Sequence, residues 1–291
     1  MKIDLKKFRI ESGKKFDLND FDPRESLGLK KEDVTEEMTK EILAEINELQ
    51  EKLYAENEFS LLLILQARDA AGKDSLIKHV MSGVNPQGCK VVSFKQPSDE
   101  ELDRDYLWRV VRGLPRRGEI GIFNRSHYEE VIVTKVHNLV EKQQIPDALI
   151  TKDIWEKRYR QINDFERYLY ENGIIPVKFF LNVSADEQKE RLLDRINRPE
   201  KNWKFSAGDV MERKYWDEYQ DAYQEMIEET STEYAPWYVL PADRKWFSRL
   251  LFAEAIRHHL KKIDPQYPEL DEYNRSKLDE CRALLENGDK E

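Results

Sequence analysis

The chain has 291 residues, of which 40% are hydrophobic, so it can bury a substantial core in one large domain or two small ones. No window approaches the roughly 18 uninterrupted apolar residues of a membrane span, and the N-terminal MKIDLKKFRIESGKKF lacks the apolar stretch of a secretory signal. We therefore expect a cytoplasmic protein without a membrane partner. The formal net charge of −10 argues against a nucleic-acid partner, so any polyanion would have to meet a local basic patch.

The elements predicted from the sequence alternate between helix and strand. Residues 1–35 are polar and predict an extended N-terminal arm, and the apolar spacing from Glu36 to Glu56 predicts an amphipathic helix. Short apolar runs typical of buried parallel strands follow at Leu61–Leu65, Lys90–Phe94, Ile120–Phe123, Val177–Val183 and Tyr238–Leu240. Helical patterns lie between them at Leu76–Met81, Glu100–Arg112, Lys152–Glu171, Glu187–Arg195 and Asp209–Thr230. This order predicts an α/β fold with a five-stranded parallel sheet, and residues 264–291 predict a peripheral helix.

The segment ARDAAGKDSLIK, directly after the first predicted strand, is similar to a phosphate-binding loop. Gly72 and Lys73 precede a predicted helix, whose N-terminus would face the anion. The segment departs from the pattern G-x-x-x-x-G-K-[ST]: Ala67 replaces the first glycine and Asp74 replaces the hydroxyl residue, with Ser75 one place later. The alternative is an ordinary strand-to-helix turn with a chance Gly-Lys pair.

Two carboxylates, Asp69 and Asp74, lie where phosphate would arrive. They would repel phosphate unless a divalent cation stood between them, and Mg²⁺ binds through one or two carboxylates together with phosphate oxygens and waters. The loop therefore predicts a magnesium site. Asp74 also suits a simpler role at the positive end of the helix.

Asn124 and Arg125 follow the third predicted strand, and Glu119 begins it. Ligands bind beyond the carboxyl ends of parallel strands, so Arg125 should emerge near the same crevice as Lys73. An arginine there can bind phosphate bidentately and stabilise charge on a transferring group. The alternative is a polar turn that merely ends the strand.

A run of basic residues follows the fourth predicted strand and continues from a helix into a loop: Arg191, Arg195, Arg198, Lys201 and Lys204. The three arginines fall at i, i+4 and i+7 and so share one helix face. Acidic residues alternate with them, which is also typical of a solvated face. The position after the fourth strand favours a mobile lid that closes over phosphates.

Four segments, taken together, resemble the second family of polyphosphate kinases: ARDAAGKDSLIKHV, GEIGIFNRSHYEEV, RINRPEKNWKFSAGDVMERKYWDEYQDAY and TSTEYAPWYVLPADRKWFSRL. The resemblance implies a P-loop kinase fold related to thymidylate kinases, with a core at residues 36–263 and a helical lid at about 189–212. It also implies phosphate transfer between inorganic polyphosphate and nucleotides with Mg²⁺, or with Mn²⁺ in its place. FNRSHYEEV, with VSFKQPS upstream, is more similar to the short single-domain group that accepts nucleoside mono- and diphosphates.

Carried over by position, the resemblance implies catalytic roles for Asp69, Lys73, Asn124 and Arg125. Asn124 stands where some members have aspartate, so Asp69 and Glu119 are the expected metal ligands. The expected phosphate and polyphosphate ligands are Arg68, Gly72, Lys73, Asp74, Ser75, Arg191, Arg195, Arg198, Lys201 and Lys204. The family resemblance also favours a homodimer or homotetramer. Two other functions stay open, an ATP-dependent nucleoside monophosphate kinase and a noncatalytic nucleotide or polyphosphate sensor.

Overall fold

Five parallel strands form one sheet in the computed structural model, which describes residues 3–287. They are β1 Ser60–Ala67, β2 Cys89–Ser93, β3 Ile120–Asn124, β4 Ile174–Asn182 and β5 Trp237–Pro241. Their order in the sheet is β2-β3-β1-β4-β5. Each predicted apolar run overlaps one strand, so the predicted α/β fold with a five-stranded parallel sheet is confirmed.

The centre of the sheet is β1, which pairs with β3 on one side and β4 on the other. Every residue of β1 is buried, whereas β2 lies at the edge and exposes Val91. The register sets Leu65 of β1 opposite Asn124 of β3. The residue after β3, Arg125, therefore emerges beside the loop that follows β1.

Helices cover both faces of the sheet. They are α1 Glu36–Glu56, α2 Lys73–Val80, α3 Asp99–Leu102, α4 Trp108–Gly113, α5 Val133–Val136, α6 Ile154–Glu171, α7 Ala185–Asn197, α8 Ala207–Met211, α9 Trp216–Thr230, α10 Lys245–Ile263 and α11 Glu272–Asn287. Apolar residues of α1, α2 and α10 pack on one face, and those of α4, α6 and α9 pack on the other. Helix α1 has the predicted bounds, and Thr35 caps it by accepting a hydrogen bond from the Met38 N–H at 3.2 Å.

Three parts of the helix prediction differ from the structure. The pattern at Glu100–Arg112 divides into α3 and α4, because the Asp105 side chain accepts from the Leu107 N–H and forms a turn between them. The pattern at Asp209–Thr230 divides into α8, a 3-10 turn and α9. The sequence pattern does not single out α10, since this helix is buried on most of its circumference and carries no clear polar stripe.

The N-terminal arm packs against the free edge of β5. The Ile10 N–H donates to Trp237 O at 2.9 Å, and the Val239 N–H donates to Phe8 O at 2.8 Å. These bonds satisfy backbone groups that an edge strand would otherwise expose. Residues 1, 2 and 288–291 of the predicted arm and tail lie outside the described residues. Within residues 3–287, no helix combines the length and apolarity needed to cross a bilayer.

A buried ion pair lies behind the site, between β4 and α6. Lys178 and Glu166 have fully buried side chains, and the ammonium also donates to Tyr128 Oη at 3.0 Å and Thr230 O at 2.6 Å. Burying a charge is costly unless partners satisfy it, and here all the ammonium donors have partners. The network therefore fixes Tyr128, three residues after Arg125, against the sheet.

Candidate active site

The loop between β1 and α2 consists of residues 68–72. Ala70 and Gly72 have φ values of 61° and 112°, in the left-handed region. An added Cβ at Gly72 would lie 3.7 Å from Arg191 Nη1, which is ordinary contact, so backbone conformation rather than space requires glycine there. Ala67 is the last residue of β1 and pairs with Leu181. A side chain is accommodated in that extended strand position, which accounts for the missing first glycine of the motif.

Lys73 begins α2, and its ammonium folds back over the loop. The Nζ atom donates to Ala67 O at 2.9 Å and to Arg68 O at 3.4 Å. Burial, with the charge of Arg125 nearby, lowers the pKa of Lys73 to about 8. The side chain is thus cationic at neutral pH but poorly solvated, which favours contact with an incoming anion.

Each loop carboxylate is held by a side chain from the end of β3. Arg125 Nη2 donates to Asp69 Oδ1 at 2.5 Å, and Asn124 Nδ2 donates to Asp74 Oδ1 at 2.8 Å. Arg125 has a φ of 64°, uncommon for a non-glycine residue, and its N–H donates to Leu65 O at 3.0 Å. The four side chains predicted to be catalytic, together with Asp74, therefore lie at one end of the sheet.

A carboxylate that the sequence reasoning missed, Glu129, lies beside the same arginine. Its burial raises its pKa, and Asp69 adds to the rise, while Arg125 and Lys73 oppose it. The Gln66 amide, turned so that both its ends are satisfied, donates to Glu129 Oε1 at 3.0 Å. The only sequence signal was an acidic residue one turn after Arg125.

Asp69 and Glu129 are the residues that fit a divalent cation. Both carry hard oxygen donors and flank Arg125. Within the described part of the chain there is no cluster of three or more His, Cys, Asp or Glu side chains in a metal-binding arrangement. Magnesium does not require one, because it completes its coordination with phosphate oxygens and water.

Glu119, predicted as a second metal ligand, is not part of this site. It precedes β3, whereas Asn124 ends it, and the intervening strand spans about 16 Å at roughly 3.3 Å per residue. The Glu119 carboxylate accepts from the Arg116 N–H at 2.8 Å, at the N-terminal end of β3 and so at the opposite end of the strands from the site. The prediction that it shares a metal ion with Asp69 is therefore wrong.

The helical region after β4 brings two of its predicted cations to the loop. Arg195 Nη1 donates to Asp209 Oδ2 at 2.8 Å, and Lys204 Nζ lies 3.9 Å from Asp74 Oδ2. With the loop, Arg195 and Lys204 line a cleft of about 520 Å³, which also contains Gly72 and Ser75.

The other three predicted cations lie elsewhere. Arg198 pairs with Glu200, and both Arg198 and Lys201 pair with Asp194 on the outer side of α7. Arg191 is buried beneath the loop, where its guanidinium donates to Ala71 O and Ala242 O, each at 2.6 Å. Arg191 was expected on an exposed track, but in the structure it supports the loop backbone.

Arg68 lines a second cavity next to the cleft. Its guanidinium stacks on Trp216, 3.7 Å from the ring centroid, and donates to Trp216 O at 2.7 Å and Gln220 Oε1 at 3.1 Å. Burial lowers its pKa to about 10, so Arg68 remains cationic at neutral pH. Arg68 thus forms a charged wall anchored on α9.

The second cavity has a volume of about 720 Å³ and is partly aromatic. Its walls include Trp216, Tyr219 and Tyr223 of α9, and the basic residues Lys95, Arg109 and Arg213. The cleft and this cavity share the residues Asp69, Phe94, Lys95, Gln96 and Arg125. The two spaces therefore meet at the Asp69–Arg125 ion pair.

Comparison with known proteins agrees with this geometry. The family profile described as Polyphosphate kinase 2 (PPK2) matches residues 28–269. An ADP-polyphosphate phosphotransferase of Rhodopseudomonas palustris is 46% identical over 287 residues, which cover 98% of this chain and 99% of the relative. An AMP/ADP-polyphosphate phosphotransferase of Meiothermus ruber is 46% identical over 269 residues, which cover 91% of this chain and 96% of the relative.

A solved structure is also similar over nearly the whole chain. The crystal structure of Polyphosphate Kinase 2 from Arthrobacter aurescens TC1 superposes with a TM-score of 0.86 at 40% sequence identity, covering 96% of this chain and 95% of that one. The parallel sheet, the loop after β1 and the following helix are those of a P-loop kinase fold, as predicted. This chain belongs to the polyphosphate kinase 2 family.

Proposed function

We propose that this chain transfers phosphate between inorganic polyphosphate and nucleotides. The names of its relatives support this activity, since they are described as ADP-, AMP/ADP- and NDP-polyphosphate phosphotransferases. The observation that carries the proposal is the meeting of a cationic cleft and an aromatic cavity at Asp69 and Arg125. Two phosphate-bearing substrates can approach each other there from opposite sides.

We assign the polymer to the cleft and the nucleotide to the cavity. Cations from the loop and from the region after β4, Lys73, Arg195 and Lys204, surround the cleft. Lysine binds phosphate as a point charge without demanding one geometry, which suits a polymer with many equivalent units. The aromatic rings of Trp216 and Tyr219 offer flat apolar surface for a base.

The reaction requires no general base. The terminal phosphate of an acceptor such as ADP is already anionic at pH 7, so the protein's task is positioning and charge neutralisation. One acceptor oxygen forms the new P–O bond while a bridging P–O bond of the polymer breaks, and the shortened polymer leaves with the electron pair on its terminal oxygen. Lys73 and the loop N–H groups would hold the transferring phosphate, and Arg125 would neutralise its charge.

Asp69 and Glu129 are the residues that would hold Mg²⁺, or Mn²⁺ in its place, which would supply further neutralisation of phosphate charge. ADP is the proposed acceptor, with conversion of AMP to ADP and of GDP to GTP as further reactions of the same site. We also propose a homodimer or homotetramer, since α11 exposes Tyr273, Leu284 and Leu285. The predicted cytoplasmic location stays a prediction.

One assay distinguishes the proposed function from its rivals. Purified protein is incubated with ADP or AMP, Mg²⁺ and polyphosphate, and in parallel with ATP and nucleoside monophosphates. We expect ATP to form from polyphosphate and ADP. Transfer only from ATP would indicate a nucleoside monophosphate kinase, and binding without transfer would indicate a sensor.

A further inference from the structure

Two basic side chains of α10, Lys245 and Arg249, lie beside the phosphate loop but outside the cleft and the cavity. Lys245 begins the helix and Arg249 follows one turn later. Arg249 Nη2 donates to Ser75 Oγ at 2.9 Å, and Ser75 lines the cleft. The basic pair therefore lies next to the cleft, with Arg249 in contact with one of its lining residues.

Among the described residues, the two cations of this pair lack direct acidic partners, and the nearby acids Glu187 and Asp194 are each paired with another cation. Within residues 3–287, neither Lys245 nor Arg249 has a carboxylate within ion-pair distance. The pKa of Lys245 is lowered by partial burial and by the nearby cations Arg191, Lys201 and Arg249. Glu187, the acid that opposes this effect, already pairs with Arg191 at 2.8 Å.

The position of the pair on its helix adds to the repulsion. The first turn of α10 contains no acidic residue, whereas α1 and α7 each have two. A cation at the positive end of a helix is unfavourable, and an anion there is favourable. Arg249 is half-buried and is held toward the cleft by its hydrogen bond to Ser75, so a purely solubilising surface role explains it poorly.

We propose that Lys245 and Arg249 form an exit subsite for the distal phosphates of a long polyphosphate chain, which leaves the cleft past Ser75 and runs along the start of α10. This inference rests on the proposed function. A short donor that fills only the cleft would not reach α10, so the subsite favours long chains over short ones. Lys245 and Arg249 are therefore specificity-determining residues for donor length.

The test compares donors of two lengths. The double variant Lys245→Ala, Arg249→Ala and the unaltered protein are assayed with tripolyphosphate and with a long-chain preparation at fixed ADP and Mg²⁺. We expect kcat/KM for the long chain to fall roughly tenfold, as for two partly exposed charge contacts, while that for tripolyphosphate changes less than about twofold. The KM for ADP should not change.

Three further variants separate charge from structure. Arg249→Lys should retain most of the preference for the long chain. Arg249→Gln should lose it, because the subsite depends on charge. Lys262→Ala removes a cation from the far end of α10 and should leave both donors unaffected. An equal loss with both donors, or an unchanged kcat/KM for the long chain, would overturn the subsite.

Direct binding keeps this result separate from the proposed function. Calorimetric titration of each donor into the unaltered protein and the double variant, at several salt concentrations, measures affinity without turnover. We expect the double variant to bind the long chain more weakly. The slope of its log affinity against log salt should also be shallower, equivalent to about one to two fewer counterions released on binding. If the unaltered protein makes no ATP, the proposed function fails, whereas identical long-chain affinities in both proteins would refute the subsite alone.

Discussion

Replacing Lys73 with methionine should abolish phosphate transfer and, in the absence of phosphate, make the chain more stable. The ammonium is buried and has a pKa of about 8 instead of 10.5. Each unit of displacement corresponds to about 1.4 kcal/mol, so holding the charge in the folded protein at pH 7 costs about 3 kcal/mol. Methionine has a similar length and needs no solvation.

The net gain is smaller, because the substitution also removes two hydrogen bonds. Lys73 donates to Ala67 O at 2.9 Å and to Arg68 O at 3.4 Å, and such bonds contribute about 1 kcal/mol each. We therefore expect Lys73→Met to raise the free energy of unfolding by about 1–2 kcal/mol. At this chain length that corresponds to an increase of about 2–3 °C in Tm.

The stabilising effect of Lys73→Met should depend on pH. Between the folded pKa of about 8 and the unfolded value of 10.5, the unfolded chain binds the extra proton, so the stability of the unaltered protein rises with pH. The advantage of the variant should be complete below pH 8 and should decline toward about pH 10.

Thermal unfolding at pH 7 and at about pH 9.5, without phosphate or nucleotide, measures the effect. The matched control is Lys78→Met, which removes an exposed cation from the same helix and should change the unfolding free energy by less than about 0.5 kcal/mol. Added tripolyphosphate should stabilise the unaltered protein more than the Lys73 variant. A variant that is less stable at pH 7, or an advantage that is equal at both pH values, would refute the reasoning.

Three other substitutions test the site and its support. Asp69→Asn should abolish transfer with the fold intact, and near-normal turnover at saturating Mg²⁺ would contradict its metal role. Arg195→Ala with Lys204→Ala should weaken polyphosphate use more than ADP binding and flatten the salt dependence, so an unchanged apparent affinity for polymer would count against these two cleft cations. Lys178→Met should lower the unfolding free energy by about 3–5 kcal/mol, because Glu166 is left as an unpaired buried charge. Urea unfolding measures the loss, and adding Glu166→Gln should restore part of it.

The strands were predictable because their physical cause is local. A parallel strand covered on both faces requires a continuous apolar run, and each of the five runs is visible in the sequence. Helix α10 was not singled out for a related reason. Its burial is decided by β5, α1 and α2 packing around it, and a helix covered on most sides shows no polar stripe in the sequence.

The site was predictable where it follows strand ends. Asp69 and Lys73 lie in or next to the loop after β1, and Asn124 and Arg125 lie at the end of β3. Adjacent parallel strands bring such residues together. Glu119 was misplaced because it precedes β3, and the N-terminal ends of parallel strands lie opposite the ends that carry the site. The sequence did not indicate Glu129, because the turn after Arg125 determines how close the Glu129 carboxylate comes to Arg125.

The basic run shows what helical spacing cannot decide. The predicted i, i+4, i+7 face holds only for Arg191 and Arg195, because α7 ends at Asn197 and Arg198 follows it in extended conformation. Arg191 meets backbone carbonyls and Arg195 lines the cleft, while Arg198 pairs with neighbouring acids. Which neighbour each guanidinium meets depends on the position of α7 relative to the loop, and this is a tertiary property.

The two loop carboxylates gain a physical role from their partners on β3. In the structure Arg125 pairs with Asp69, so the guanidinium and the carboxylate hold each other at the junction of the cleft and the cavity. A transferring phosphate would compete with Asp69 for the Arg125 guanidinium, because both are anions that can accept its N–H donors. We infer that the carboxylate keeps Arg125 positioned until phosphate arrives, which explains why an anion-binding loop contains an anion of its own.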